Sequence, residues 1–204
     1  GRTVGFDFHD GVAYTVRVVG NTFGFGVTPT RNDFCTTTGV AGGACQVQTV
    51  AQGNLRVTRA SSSPSTGNVA QGGTQVPLVA VDYTVTGEEV RMTSQNWDFT
   101  LATLTCAQLT AVTVYNAAGS VVAGPQDCAN NTVTFTDSVT LPVGTNTYTV
   151  MGNIAQAATG GGTVATILDV SEFTVRGVQS GKTTTVNTTT DVTGNTLTVQ
   201  AATL

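Results

Sequence analysis

Charge is scarce in this sequence: of 204 residues, 8 are Lys or Arg and 12 are Asp or Glu, giving a formal net charge of -4. The basic residues are scattered and include a single lysine, Lys182, so they form no patch that would neutralise a run of phosphates. Nucleic acid is therefore not an expected partner. The same scarcity argues against an anionic membrane surface, and no apolar run approaches the ~18 residues that a spanning helix needs. Histidine is nearly absent too. With His9 alone, a two-histidine metal site is excluded, and a Ser-His-Asp triad would depend on one hairpin loop.

What is abundant points to sheet. Thr and Val make up roughly a third of the chain, a β-branched bias that suits pleated strands and disfavours helices. The 24 Gly and 5 Pro supply frequent turns. Apolar residues amount to 40 %, too many for disorder at so small a net charge. The chain reads as folded and all-β, long enough for one β-domain with an attached module.

The first 27 residues alternate most regularly. Val4, Phe6 and Phe8 are followed, after His9-Asp10-Gly11, by Val12, Tyr14, Val16 and Val18, which reads as two strands. A three-residue loop with Gly11 in the left-handed conformation pairs Phe8 with Val12, Phe6 with Tyr14 and Val4 with Val16, and collects the apolar residues on one face. A tight turn at Gly20-Asn21 then sets Val18 against Phe23, Val16 against Phe25 and Tyr14 against Val27. The expected result is a three-stranded meander carrying five of the chain's aromatics on one side. So small a sheet is marginal alone in water, so that face must be covered by the rest of the chain or by another copy. Residues 28–50 show no periodicity and read as a connector, giving an N-terminal region 1–50 and a second domain 51–204.

From Asn54 onward short strands and turn signals alternate at the spacing of a β-sandwich. Strands are expected at 55–58, 76–85, 90–100, 111–115, 120–123, 132–139, 145–154, 164–168, 172–175, 183–189 and 195–201, with polar loops at 61–73 and 155–162. Two packed antiparallel sheets of Greek-key, Ig-like type accommodate them. Trp97 falls mid-strand, where a core position is expected.

Cys35, Cys45, Cys106 and Cys128 are an even set whose spacing matches neither a zinc knuckle nor a redox dipeptide. Two disulfides are expected. Three connectivities are open, and sequential pairing, 35 with 45 and 106 with 128, is the simplest; free buried thiols are the alternative. Disulfides imply an oxidising compartment, and an N-terminal Gly without a leader is what a processed, exported chain would show.

Few residues suggest chemistry. Asp7, His9 and Asp10 could contact a metal, but alternation puts only Asp7 and His9 on one strand face with the turn beyond, and a solvated turn is expected. Glu88-Glu89 lies at a turn with no carboxylate partner at glycosidase separation, so solvent contact is expected. Asp82, Asp169 and Glu172 could contribute to a calcium loop, although no ligand-dense loop appears. No metal, cofactor or catalytic residue is assigned. Asn130 and Asn187 open acceptor sequons for glycans near turns. The Thr runs 36–38, 183–185 and 188–190 read as edge-strand segments, with O-linked sugars as the other reading. Lys182 sits in a turn, unlike the apolar core an isopeptide crosslink requires.

Four stretches, NLRVTRASSSPSTGNVAQGGTQVPLVAVDYTVTGEEVRMTS (54–94), LTAVTVYNAAGSVVAG (109–124), NTVTFTDSVTLPVGTNTYTVMGNIA (131–155) and the terminal TGNTLTVQAATL, carry a family likeness. Together they resemble the β-sandwich module repeated in surface-layer-like and filament-like proteins of environmental small-genome bacteria. The resemblance covers about three quarters of the chain and implies a secreted, cell-surface structural or adhesive role with no catalytic residues. A single module, an aromatic N-terminal meander and the cysteines depart from that pattern.

These readings converge on an extracellular subunit that assembles with copies of itself into a filament, tube or layer through strand or sheet packing. Val4, Phe6, Phe8, Val12, Tyr14, Val16, Val18, Phe23, Phe25 and Val27 are its expected subunit interface. The alternative is a cell-surface adhesin or carbohydrate-binding sandwich contacting a ligand through its long loops.

Overall fold

The computed structural model describes residues 53–201 and four short strands before them: β1 (Arg2–Val4), β2 (Val18–Val19), β3 (Gly26–Val27) and β4 (Gln48–Val50). The chain divides into two units, Gly1–Ala51 and Gln52–Leu204.

β1 pairs antiparallel with β4, Thr3 opposite Thr49, so strand character reaches into residues read from sequence as a connector. β2 pairs antiparallel with β3, placing Val18 opposite Val27 rather than Phe23. Residues 20–25 then separate the two strands. Gly20, Gly24 and Gly26 leave several loop lengths open, and register is weakly specified in glycine-rich strands. Phe6, Phe8, Val12, Tyr14, Val16, Phe23 and Phe25, together with His9, Cys35 and Cys45, lie outside the described residues.

The second unit is a two-sheet β-sandwich. Its strands are β5 (Asn54–Arg59), β6 (Gly67–Ala70), β7 (Val76–Thr86), β8 (Val90–Ala102), β9 (Leu109–Asn116), β10 (Val121–Gln126), β11 (Thr132–Phe135), β12 (Val139–Leu141), β13 (Gly144–Ile154), β14 (Thr163–Gly177), β15 (Thr185–Val186), β16 (Val192–Thr193) and β17 (Leu197–Gln200). The first sheet runs β10-β9-β13-β7-β5-β15 and the second β11-β8-β14-β17-β6, with β12 also on β8 and β16 also on β14.

Alternation builds the core. Along β7 the side chains of Val79, Val81, Tyr83 and Val85 are buried, while Asp82 and Thr84 turn outward. On β8, Val90, Met92, Trp97 and Phe99 are buried against them. Trp97 is the core residue its position predicts, and its Nε1 donates to Oε1 of buried Gln95 at 3.1 Å, so the indole enters the interior with its donor satisfied.

The strand list departs from expectation where local pattern carries no information about partners. Residues 67–70, read as loop, form β6 because the end of the chain returns to pair with them. The expected 132–139 strand breaks into β11 and β12, both on β8. The segments 164–168 and 172–175 are one strand, β14, interrupted by register shifts between Asp169 and Val175. Pairing is not wholly antiparallel either. β15 runs parallel to β5 and β17 parallel to β6, because the first and last strands of the unit travel side by side in both sheets.

Candidate functional site: sheet edges and the Glu88 clasp

A sandwich has open edges, and each edge is a row of unpaired backbone donors and acceptors unless something blunts it. On one side of this molecule the two sheets are stitched together. Gly124 N–H donates to Asp137 Oδ2 at 3.1 Å, linking β10 to the segment between β11 and β12. Pro125 removes a donor from β10, and that strand is irregular in register at two places. A side chain at Gly124 would meet the Phe135 ring and the Val112 carbonyl oxygen at 2.7 Å, with φ at +87°. Only glycine fits there. Cys106 and Cys128 are joined by a disulfide beside this edge, as sequential pairing predicts.

On the opposite side the first sheet is closed by the returning chain. β15 has two residues, and the ladder along β5 continues beyond it through one backbone bond and the Thr188 side chain. Asn187 N–H donates to the Leu55 carbonyl, and the Thr188 hydroxyl both accepts from Val57 N–H at 2.7 Å and donates to the Val57 carbonyl at 3.1 Å. This Thr-rich run is thus an edge cover. Asn195, between β16 and β17, secures the crossing from β5 to β6, accepting from Arg59 Nη1 at 2.9 Å and donating to the Pro64 carbonyl at 2.7 Å.

That leaves β6. It ends the second sheet, and among the described residues no strand lies beyond it. Its sequence, Gly67-Asn68-Val69-Ala70, has no charge and no proline. Gln71 N–H donates to the Gln200 carbonyl on β17. By strand alternation Val69 also faces β17, whereas the N–H groups of Asn68 and Ala70 point away from the sheet. Val69 is half-buried against the core, while Gly67, Asn68 and Ala70 are exposed.

A second constellation secures the start of the sandwich. Glu88 is only 9 % exposed, which corrects the expectation of ordinary solvent contact for this residue; Glu89 is exposed. Glu88 Oε2 accepts from the N–H groups of Ser180 at 2.8 Å and Gln179 at 3.0 Å, and Oε1 from Gly53 N–H at 3.4 Å. The turn sequence Gly87-Glu88-Glu89 concealed this role because both donor groups lie far along the chain. Hydrogen bonds from the Ser180 hydroxyl and N–H, then from Gln179 and Gly53, hold the Glu88 carboxyl below its usual range, against the upward push of burial. A β-carbon at Gly177 would lie 2.2 Å from Oε1, so glycine there is what admits the carboxylate. Close by, the buried Thr184 hydroxyl has no hydrogen-bond partner; the Tyr83 hydroxyl lacks one also. Burial pushes the Tyr83 phenol far up, with Tyr148, 5.3 Å away between ring centroids, adding to it.

The other sequence candidates are not brought together. Asp82, on the first sheet, accepts from Thr147 Oγ1 at 2.6 Å, while Asp169, on the second, accepts from the N–H and hydroxyl of Ser171. Glu172 is exposed on β14. Among the described residues no group of three or more His, Cys, Asp or Glu is gathered as a metal would need, and no helix is long and apolar enough to cross a membrane. Asn130 occupies an exposed tight turn with Asn131, at φ of 52° and 62°. Asn187 is exposed as well. Lys182 lies exposed in its turn, its N–H bonded to Ser180 Oγ.

No family model and no curated protein matches the sequence. Among solved structures the chain is similar to CaCohA2 from Clostridium acetobutylicum, with 16 % identity, a TM-score of 0.38, and coverage of 74 % of this chain and 94 % of that one. It is also similar to the third cohesin of ScaC from Acetivibrio cellulolyticus, solved with the ScaB dockerin, at 13 % identity and a TM-score of 0.25 over 72 % and 99 % of the two chains. A family 123 glycoside hydrolase from Clostridium perfringens aligns at 8 % identity and a TM-score of 0.31, over 74 % of this chain but 28 % of the enzyme. All three scores fall below 0.5, and the two-sheet architecture rests on this chain's own strand pairing.

Proposed function

We propose that this protein is an extracellular structural subunit that self-assembles into a filament, tube or layer by adding a strand from one copy to the β6 edge of the next. The observation that carries the reading is the asymmetry of the edges. The other three are shortened, irregular or stitched to the opposite sheet; β6 is short as well and its Ala70 carbonyl accepts from Gly73 N–H, but it presents the N–H groups of Asn68 and Ala70 outward without a charge or proline to discourage a partner. The occupant is the N-terminal segment of a neighbouring copy. Its alternating apolar residues, Val4 to Phe8 and Val12 to Val18, have the pattern an added strand requires, with backbone bonds supplying affinity and alternate side chains supplying fit. A head-to-tail contact of this kind generates a fibre when its rotation does not close into a ring.

The Cys106–Cys128 disulfide supports an oxidising, extracellular setting, and the likeness to surface-layer-like modules agrees with it. No catalytic role is assigned. A ligand-binding adhesin is the weaker reading, since the sole Trp97 is committed to the core. Electron microscopy and size exclusion of the full chain and of a chain lacking residues 1–27 test the proposal. Polymers from the full chain and a folded, dispersed truncation are expected. A truncation that still polymerises overturns the mechanism.

A further inference from the structure

Most glycines of the sandwich either take a positive φ or would bring an added β-carbon hard against a neighbour, to 2.7 Å at Gly124 and 2.2 Å at Gly177. Gly67 on β6 does neither. Among the described residues the only atom within 4 Å of its added β-carbon is the Ser65 carbonyl oxygen, at 3.7 Å. The strand therefore leaves bare a position where a side chain has room, and glycine inside a strand costs stability relative to alanine. Such a position is where another backbone or its side chain can approach closely.

Strand pairing says which way the space opens. Gly67 stands opposite Leu197 and Val69 opposite Val199; both partners on β17 are core residues, and Val69 packs against the same core. Gly67 and Val69 thus share the inward face of the edge. Asn68 and Ala70 face outward, Asn68 Oδ1 accepting from Gln200 Nε2 at 3.5 Å. The surroundings favour an apolar occupant, because from Ala60 to Val81 the chain carries no charged residue.

This inference rests on strand addition at β6 and identifies the side chain that the added strand brings. A residue set opposite Asn68 in an antiparallel pair accepts from its N–H and donates to its carbonyl. That residue's side chain faces outward with Asn68, and its two neighbours face inward, opposite Gly67 and Val69. Val4, Phe6 and Phe8 occupy alternate positions, so turning them inward requires an odd-numbered residue opposite Asn68. With Thr3 there, Arg2 would face Val69; with His9 there, Asp10 would face Gly67; each would bury a charge. Gly5 or Asp7 remains. Gly5 sets Phe6 opposite Gly67 and Val4 opposite Val69, whereas Asp7 sets Phe8 opposite Gly67 and Phe6 opposite Val69. Both registers lay a phenylalanine ring over the bare glycine, a cross-strand pairing that covers an edge glycine. The segment also has an edge to offer: β1 lies in a two-stranded sheet with β4, and among the described residues no strand lies on its other side.

We propose that Gly67 is the specificity-determining position of the β6 edge, a notch that receives Phe6 or Phe8 from the antiparallel N-terminal strand of a second copy. A β-branched side chain at Gly67 would suit the strand and fill the notch.

Gly67→Val in the full chain separates the notch from the edge itself, because the backbone groups of Asn68 and Ala70 stay as they are. The urea midpoint of the dispersed variant, read by Trp97 fluorescence, should equal or exceed the parent's. Its critical concentration for polymerisation, read by sedimentation, should rise at least ~10-fold, as loss of an anchoring contact does. Phe6→Ala with Phe8→Ala should raise it as far, while Tyr14→Ala with Val16→Ala should leave it within ~3-fold of the parent's. Should Gly67→Val fail to fold, polymers grown from an equimolar mixture of chains isotope-labelled at phenylalanine and chains labelled at glycine decide the matter. Solid-state NMR should then show a cross-peak between copies from the Phe6 or Phe8 ring to Gly67 Cα, and its absence overturns the proposal. A folded Gly67→Val chain that polymerises at the parent's critical concentration, with the Asn68 and Ala70 amides protected, overturns the notch and leaves strand addition standing. Polymer lost from the Tyr14 and Val16 variant but kept by the Phe6 and Phe8 variant overturns it too. A parent polymer that leaves both amides unprotected discards strand addition, and this inference with it.

Discussion

Replacing the Cys106–Cys128 bond offers the sharpest quantitative test of the sandwich. Cys106→Ser with Cys128→Ala removes the cross-link and keeps an oxygen near the Asn131 N–H that the Cys106 sulfur now accepts at 3.0 Å. The sequence separation of 22 sets the loop-closure entropy returned to the unfolded chain, about 3 kcal/mol at 25 °C. For a chain of this size each kcal/mol moves Tm by ~2–4 °C, so a fall of ~6–12 °C is expected. Trp97 fluorescence is the right probe, because the chain's only tryptophan is wholly buried in this core and reports the sandwich transition alone. Urea titration of the same variant should lower the midpoint, with an m-value no lower than the parent's because the freed chain unfolds to a more expanded state. A Tm within ~2 °C of the parent would show that the cross-link does not constrain the unfolded chain as loop closure requires.

Three further substitutions probe the interior and the clasp. Gln95→Ala orphans the Trp97 N–H and opens a cavity; a loss of about 2–4 kcal/mol is expected by urea unfolding. Asn195→Ala should cost about 1–2 kcal/mol, since one side chain makes two bonds to the β5–β6 crossing; no change would mean that crossing is fixed by packing. For Glu88 the folded carboxyl titrates below its ordinary value of 4.5, so its stabilisation is complete above that value and is lost as pH falls through the folded one. Glu88→Gln should therefore be less stable than the parent at neutral pH and lose less on acidification. A gap that does not narrow would remove Glu88 from the acid response.

The sandwich was legible wherever alternation was strong. In Val79, Val81, Tyr83 and Val85 the inward positions are all large and apolar, and the strand follows. Trp97 was placed correctly for the same reason. What local pattern could not convey was partnership at a distance. Gly67-Asn68-Val69-Ala70 has no strand signature and becomes one only because Leu197–Gln200 arrives beside it. Glu88 reads as a turn acid until Gln179 and Ser180 meet it. In the N-terminal region the glycines that suggested a tight turn also left its length open.

Hydrogen exchange at the amides of Asn68 and Ala70 measures the proposed strand addition most directly. In dispersed protein both N–H groups point to solvent and should exchange quickly. On assembly they should become protected in step with polymer mass, and a chain lacking residues 1–27 should never protect them. Assembled particles in which Asn68 and Ala70 still exchange at their free rates would contradict the account.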